Sequence, residues 1–318
     1  MTADRHLIVG IGASAGGVEA LQAFFRALPE GSGLSFVVVM HLAEGRASAM
    51  PEILARCTTL PVQAARNGMV IEPDNVYVLS SNAVLTMRHG QLSLRQQQGA
   101  IRERHPIDVF FASLAEDAGE HAVGIILSGI GNDGTLGAKA IKERGGLTIA
   151  QQGDDGAPRH PEMPASAVAA GAIDLDIPIE AMGAKLLEYI QGLGRLDPNG
   201  QPRTHRVNNT RARRTICEIL LDHLGHNFAG YKERTMLRRI ERRMQVLDLP
   251  DIEHYIERLR QDRTEVVQLF RDLLIGVTAF FRDREAFDAL ADKVIPNLFA
   301  GKGAADTIRV WVPGCSSG

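Results

Sequence analysis

The sequence predicts an α/β fold: a doubly wound, mostly parallel sheet with an antiparallel hairpin edge, followed by an all-α helical domain and the first strand of a truncated Rossmann-like domain. Three observations carry this. Continuous apolar runs such as Phe36-Val37-Val38-Val39-Met40 have the character of strands buried on both faces. Such runs alternate with helix-spaced stretches up to about Ile190, the order of parallel strand–helix–strand units. Beyond a stretch containing Gly192, Gly194, Pro198, Gly200 and Pro202, almost all apolar spacing is helical.

Taken in order, Leu7-Ile8-Val9 is the first strand and leads through a glycine-rich turn into a helix over Val18–Leu28. The run ending at Met40 is the second strand, and a helix over Ser48–Arg56 follows. The short runs Met69-Val70-Ile71, Val76–Leu79, Val84–Met87 and Leu92-Ser93-Leu94, separated by Asp74-Asn75, Ser81-Asn82 and His89-Gly90, predict antiparallel hairpins at the sheet's edge. Helical spacing resumes over Ile107–Ala118, Val123–Leu127 is a central strand, Gly134–Arg144 a helix, and Leu147-Thr148-Ile149-Ala150 the next strand. The second half predicts helices over Arg213–Leu224, Glu233–Leu247, Ile252–Leu259, Glu265–Ile275 and Arg284–Leu298. A strand, Ile308–Val312, then runs into Pro313-Gly314-Cys315-Ser316-Ser317-Gly318. The resulting division is a first domain over 1–192, a linker over 193–210, a helical domain over 211–304 and the start of a truncated Rossmann-like domain over 305–318.

At 318 residues and 45% apolar composition the chain can bury two cores, and a net charge of −3 points neither to nor away from a polyanionic partner. Cys57, Cys217 and Cys315 form no C-x-x-C pair, so neither a disulfide framework nor a zinc site is expected. No apolar run approaches the roughly 20 residues that cross a bilayer, and no signal segment opens the chain, so a cytoplasmic location without membrane insertion is expected.

The turn after the first strand fits two motifs. Gly12-Ala13-Ser14-Ala15-Gly16 is G-x-S-x-G, which exposes a serine hydroxyl on a sharp strand-to-helix turn. Gly10, Gly12 and Ala15 also satisfy the dinucleotide fingerprint G-x-G-x-x-G/A. That fingerprint expects an acidic residue at the end of the next strand, where this chain has His41. A third polar residue, Asp133, follows the strand ending at Leu127. Taken singly, Ser14 fits a helix cap, Asp133 a turn residue and His41 a strand-end polar group. Together, at three strand ends, they form a nucleophile, a base and a carboxylate that orients the base. The order Ser, His, Asp differs from that of the α/β-hydrolases. A nucleotide-dependent oxidoreductase and a non-catalytic receptor-binding adaptor remain as alternatives.

The segments Ile11–Gly17, Met40-His41, Arg104–Phe111 and Leu127–Gly134 closely resemble the catalytic domain of chemotaxis protein-glutamate methylesterases, of the CheB type, across about the first 190 residues. The resemblance implies a catalytic triad of Ser14, His41 and Asp133, no cofactor for the esterase, and glutamate methyl esters on the cytoplasmic helices of methyl-accepting chemoreceptors as substrate. Ala15 and Ile130 depart from the residues common there, threonine and methionine. The usual N-terminal receiver domain has no counterpart before Ser14.

The segments Phe228–Lys232, Thr235–Met244 and Leu273–Asp283 look like the N-terminal helical domain of chemotaxis receptor methyltransferases, of the CheR type, and Val310–Gly318 like that family's first S-adenosylmethionine loop. This implies S-adenosylmethionine as cofactor of the full-length methyltransferase, with Thr278, Arg282 and Gly314 at an incomplete site. Arg238, Arg239, Arg242 and Arg243 crowd two helical turns. Charge runs are usually solvated faces. The resemblance implies that this one meets the acidic receptor helix. Nucleic acid is the runner-up partner, and the absence of interleaved aromatics argues against it.

Overall fold

The computed structural model describes residues 6–29, 31–40, 49–80, 83–96, 105–153, 158–194, 209–274, 288–301, 303 and 306–311. The chain divides into two compact units, Met1–Leu273 and Leu274–Gly318.

The first unit begins with β1 (Ile8–Ala13), α1 (Gly17–Ala27), β2 (Ser35–Met40), α2 (Met50–Leu54), β3 (Val62–Ala64) and β4 (Val76–Val78). It continues through β5 (Ala83–Arg88), β6 (Gln91–Gln96), α3 (Pro106–Ala118), β7 (Ala122–Ile126), α4 (Thr135–Glu143), β8 (Leu147–Gln151), α5 (Glu162–Ala169), β9 (Leu175–Ile177) and α6 (Ile179–Gly194). Seven strands form one parallel sheet in the order β3-β4-β2-β1-β7-β8-β9. The chain winds outward from β1 through β2 and then, from β7, outward the other way. The carboxyl ends of β1 and β7 therefore flank the topological switch point, where open α/β sheets hold their ligands.

The central strands are buried on both faces, as their apolar runs require. Val9, Ile11, Phe36 and Val38 pack against Phe24 and Phe25 of α1 and Leu186 of α6. Ile8, Val37 and Val39 face the other way, toward Phe110, Phe111 and Leu114 of α3 and Ile141 of α4. On that second face Gly10 and Gly12 let α3 lie close. A Cβ on Gly10 would stand 2.9 Å from Phe111 Cε1, and one on Gly12 2.4 Å from Ile107 Cγ2.

Of the predicted edge hairpins, only β5–β6 is antiparallel, and it forms a separate two-stranded sheet. Val76–Val78 instead joins the parallel sheet between β3 and β2, because its side chains are all buried and need two covered faces. Residues 69–71 contribute a single bridge, Val70 to Gln91.

The helical part of the first unit comprises α7 (Asn209–Leu224), α8 (Glu233–Val246), α9 (Ile252–Gln261) and α10 (Arg263–Leu274). Its own core gathers Ile216, Leu220, Met236, Ile240, Tyr255, Leu259 and Leu269. The Asp251 side chain caps α9 by accepting the His254 N–H at 2.9 Å. Val246, at the end of α8, leaves this core and packs with Tyr189 and Leu186 of the sheet domain.

In the second unit, the expected helix over Arg284–Leu298 is described from residue 288. A π-helical turn, Leu290–Val294, precedes α11 (Ile295–Phe299), which has proline at its start. The expected strand Ile308–Val312 does not form over its described residues, 308–311. A strand exists through its ladder, and among the described residues none pairs with this one; Val310 and Trp311 are 74% and 87% exposed.

Candidate active site

The turn from β1 into α1 is shaped by contacts that leave no room for side chains. The Ser14 N–H donates to the Ser128 carbonyl at 2.9 Å, and the Ser14 carbonyl accepts the Gly17 N–H at 2.9 Å. Gly16 takes the left-handed conformation at φ 72°, and a Cβ there would meet Ser128 Oγ at 2.7 Å. Across from the serine, a Cβ on Gly129 would fall 2.1 Å from Met163 Sδ and 3.0 Å from Ser14 Cβ. Ser14 is thus held half-buried between the end of β1 and the loop after β7.

Ser128, to which the sequence reading gave no role, joins three segments. Its Oγ donates to the Ala15 carbonyl at 2.9 Å and accepts the His160 N–H at 3.0 Å, while its own N–H donates to Gln151 Oε1 at 3.0 Å. The available signal was its place directly after a buried strand, the position already noted for Ser14.

β2 ends at Met40, which is in register with Ala13, the residue before Ser14. His41 itself lies outside the described residues, as do Thr278, Arg282 and Gly314.

Asp133 is buried, and its carboxylate accepts backbone N–H groups from two segments. Oδ2 accepts the Ile107 N–H at 3.0 Å, and Oδ1 accepts those of Asp108 at 2.9 Å and Gly134 at 2.8 Å. It therefore caps α3 from another segment, as the charge at a helix N-terminus favours. Asp108 returns the interaction, its Oδ1 accepting the Gly137 N–H of α4 at 2.8 Å. Burial pushes the Asp108 carboxyl above its ordinary value; the Gly137 bond opposes this and the Asp133 charge adds to it. His105 Nδ1 stands 3.8 Å from both carboxylates and is half-exposed. These three groups offer ligand atoms within 4.8 Å of one another, but both Asp133 oxygens already accept N–H groups at the start of α3 and Asp108 Oδ1 accepts one from α4.

A cavity of about 1050 Å³ lies at the other edge of the sheet, lined in part by His6, Ile8, His89, Asp117 and His121. Ile8 opens β1 and His121 precedes β7, so this cavity belongs to the amino ends of the strands, away from Ser14.

The four arginines of α8 correct an expectation. Arg238 is exposed, but Arg239, Arg242 and Arg243 are buried and so do not form an open docking face. Arg242 donates to Asp174 Oδ1 and Asp272 Oδ2, each at 3.1 Å, and also to the Gly146 carbonyl. Arg243 pairs with Glu265 and, at 3.2 Å, with Asp174. Lys142 Nζ completes the cluster, 2.9 Å from Asp272 and 3.3 Å from Asp174. Burial alone would raise the Asp174 carboxyl, but Arg242, Lys142 and Arg243 hold it well below the usual carboxylate range. Lys142, Gly146 and Asp174 come from the sheet domain, so Arg242 and Arg243 of α8 spend their guanidinium groups on the same chain. The spacing of charges in a sequence cannot tell a solvated face from one paired with carboxylates elsewhere.

Residues 9–186 match the profile of the CheB methylesterases. The chain belongs to the CheB methylesterase family. Residues 212–274 match the all-alpha domain of the CheR methyltransferases. Over 288 residues the chain is 37% identical to an uncharacterized 104.1 kDa protein of Rhodobacter capsulatus, an alignment covering 85% of this chain and 30% of that protein. It is 39% identical over 184 residues to protein-glutamate methylesterase/protein-glutamine glutaminase 2 of Burkholderia lata, covering 58% of this chain and 54% of that one. The alignments thus span about half or less of those relatives' lengths. The crystal structure of the Thermotoga maritima CheB methylesterase catalytic domain superposes with a TM-score of 0.52 at 28% identity, covering 57% of this chain and 98% of that domain. The CheB-family domain accordingly carries the doubly wound sheet, and the CheR-type segment the helices α7–α10.

Proposed function

We propose that the CheB-family domain hydrolyses glutamate methyl esters on the cytoplasmic helices of methyl-accepting chemoreceptors. Ser14 Oγ attacks the ester carbonyl while His41 takes its proton, and Asp133 orients the imidazole. The carbonyl π electrons move onto oxygen, where backbone N–H groups at the start of α1 stabilise them. Collapse of this intermediate expels methoxide, which leaves as methanol with the proton from His41. Water, deprotonated by the same base, then attacks the acyl carbon; the bond to Ser14 Oγ breaks, His41 returns the proton to that oxygen, and the glutamate is free. The observation that supports this reading most is the position of Ser14 at the β1/β7 switch point, pinned by Ser128 and walled by Gly16 and Gly129.

The dinucleotide alternative loses its motif in this fold. Gly10 and Gly12 face Phe111 and Ile107 within a continuous strand, so their missing side chains serve helix packing. The helical domain fits a protein-glutamate O-methyltransferase that uses S-adenosylmethionine, with Thr278, Arg282 and Gly314 assigned to the cofactor. Of the four arginines assigned to the receptor, Arg238 is the exposed one.

Fluorophosphonate labelling tests the esterase. The wild-type chain should be labelled at Ser14, and both Ser14→Ala and His41→Ala should lose labelling and methanol release. A folded Ser14→Ala variant that kept near wild-type turnover would overturn the assignment. Nicotinamide binding without labelling would favour the oxidoreductase, and receptor binding without either would favour the adaptor.

A further inference from the structure

Most large apolar side chains of the sheet domain are buried. Among its described residues, three are more than half-exposed: Val70 at 54%, Ile130 at 59% and Leu136 at 71%. Two of the three fall within seven residues, on either side of Asp133. The fold requires neither to be apolar. Ile130 sits between Gly129 and Gly131, two residues after Ser128, whose carbonyl accepts the Ser14 N–H at 2.9 Å. Leu136 is the second residue of α4, whose buried positions Ala138, Ile141 and Lys142 form a stripe that excludes it. Its location is nevertheless fixed, since α4 begins at Asp108 and Asp133, at the carboxyl edge that holds Ser14.

From this placement we propose that Ile130 and Leu136 form an apolar lip that receives aliphatic side chains flanking the ester in a polypeptide substrate. The proposal rests on the esterase reading and adds to it what the site selects: an ester carried on an apolar polypeptide surface rather than an isolated small ester. The occupant follows from position. An apolar contact one residue from Gly129, where a Cβ would stand 3.0 Å from Ser14 Cβ, is covered when a macromolecule presents its ester to Ser14. Burial of such side chains on association is favourable in proportion to the area removed from water.

The test uses the full chain and two synthetic peptides, each with a central glutamate γ-methyl ester, flanked in one by leucines and in the other by serines. Binding is read by fluorescence polarisation in a Ser14→Ala background, so that docking is measured without turnover. The leucine peptide should bind more tightly than the serine peptide. Ile130→Ser with Leu136→Ser should weaken it roughly 5- to 30-fold, a loss set by partial burial of two aliphatic side chains, and leave the serine peptide nearly unaffected. Because both side chains are exposed, the melting temperature should move by no more than about two degrees. Equal affinity for the two peptides, or an unchanged affinity in the double variant, would overturn the lip. Methanol release from the leucine peptide by the chain with Ser14 intact reports separately on the esterase reading: its absence would sink that reading and leave the binding result standing by itself.

Discussion

Removing the Arg242 side chain should uncouple the helical domain from the sheet domain. The cluster holds three cations, Lys142, Arg242 and Arg243, against three anions, Asp174, Asp272 and Glu265, all buried. Arg242→Ala leaves two positive charges against three negative ones, with Asp174 and Asp272 each short of a partner and the Gly146 carbonyl without its donor. Breaking a buried ion pair from one side typically costs about 3–5 kcal/mol, because the remaining charge stays desolvated. Arg242→Ala should therefore lower the stability of the full chain by about that amount in urea unfolding followed by circular dichroism. Arg238→Ala, on the exposed side of the same helix, should stay within about 0.5 kcal/mol of wild type. Arg242→Lys should fall between them, since it keeps the charge but loses the planar fork that bridges two carboxylates. If α8 were an open docking face, both alanine variants would be nearly neutral. Equal, small effects at positions 238 and 242 would therefore refute this account of the interface.

The same cluster gives a pH dependence. The folded-state carboxyl of Asp174 is depressed, so its stabilising contribution is present above the unfolded value of about 3.9 and is lost as pH falls through the lower folded value. Melting temperature should drop on acidification below about pH 4, more steeply in wild type than in Arg242→Ala. Asp133→Ala should lose activity and also about 1–3 kcal/mol of stability, because the N–H groups of Ile107 and Asp108 are left without an acceptor. Asp133→Asn keeps one oxygen, which can accept the Asp108 and Gly134 N–H groups, but turns its NH2 toward the Ile107 N–H, so differential scanning calorimetry should place it between Asp133→Ala and wild type while methanol release stays low. Gly129→Ala should impair labelling of Ser14, since the new methyl group meets Met163 and the serine; a fully labelled variant would contradict the tight wall described for the site.

The parallel sheet was legible because its central strands are continuous apolar runs, which only a doubly covered sheet can use. The strands that escaped notice, Val62–Ala64 and Leu175–Ile177, are three residues long and lie at the two sheet edges, where burial is partial and the apolar signal is weak. Val76–Val78 was visible as a strand but not as a parallel one, since pairing direction depends on what lies beside it. Ser14 and Asp133 drew notice by their positions after strands. The capping of α3 by Asp133 was hidden because the capped N–H groups lie about 25 residues away in sequence. The arginines of α8 were misread for the same reason: Arg242 and Asp174 are separated by 68 residues.

The bond from Ser128 Oγ to the Ala15 carbonyl spans 113 residues of sequence. During synthesis the serine turn emerges well before β7, which supplies its wall and follows, among the described residues, only after five other strands and three helices. The Ser14 hydroxyl therefore exists chemically long before it has its wall. Closing so long a loop carries a large entropic cost that local contacts cannot offset, which places assembly of this site among the late events of folding. Hydrolytic competence should accordingly appear with the docking of β7 on β1, after the amino-terminal strands have formed their local structure, and a nascent chain that ends before Ser128 should carry Ser14 as an ordinary, unreactive serine.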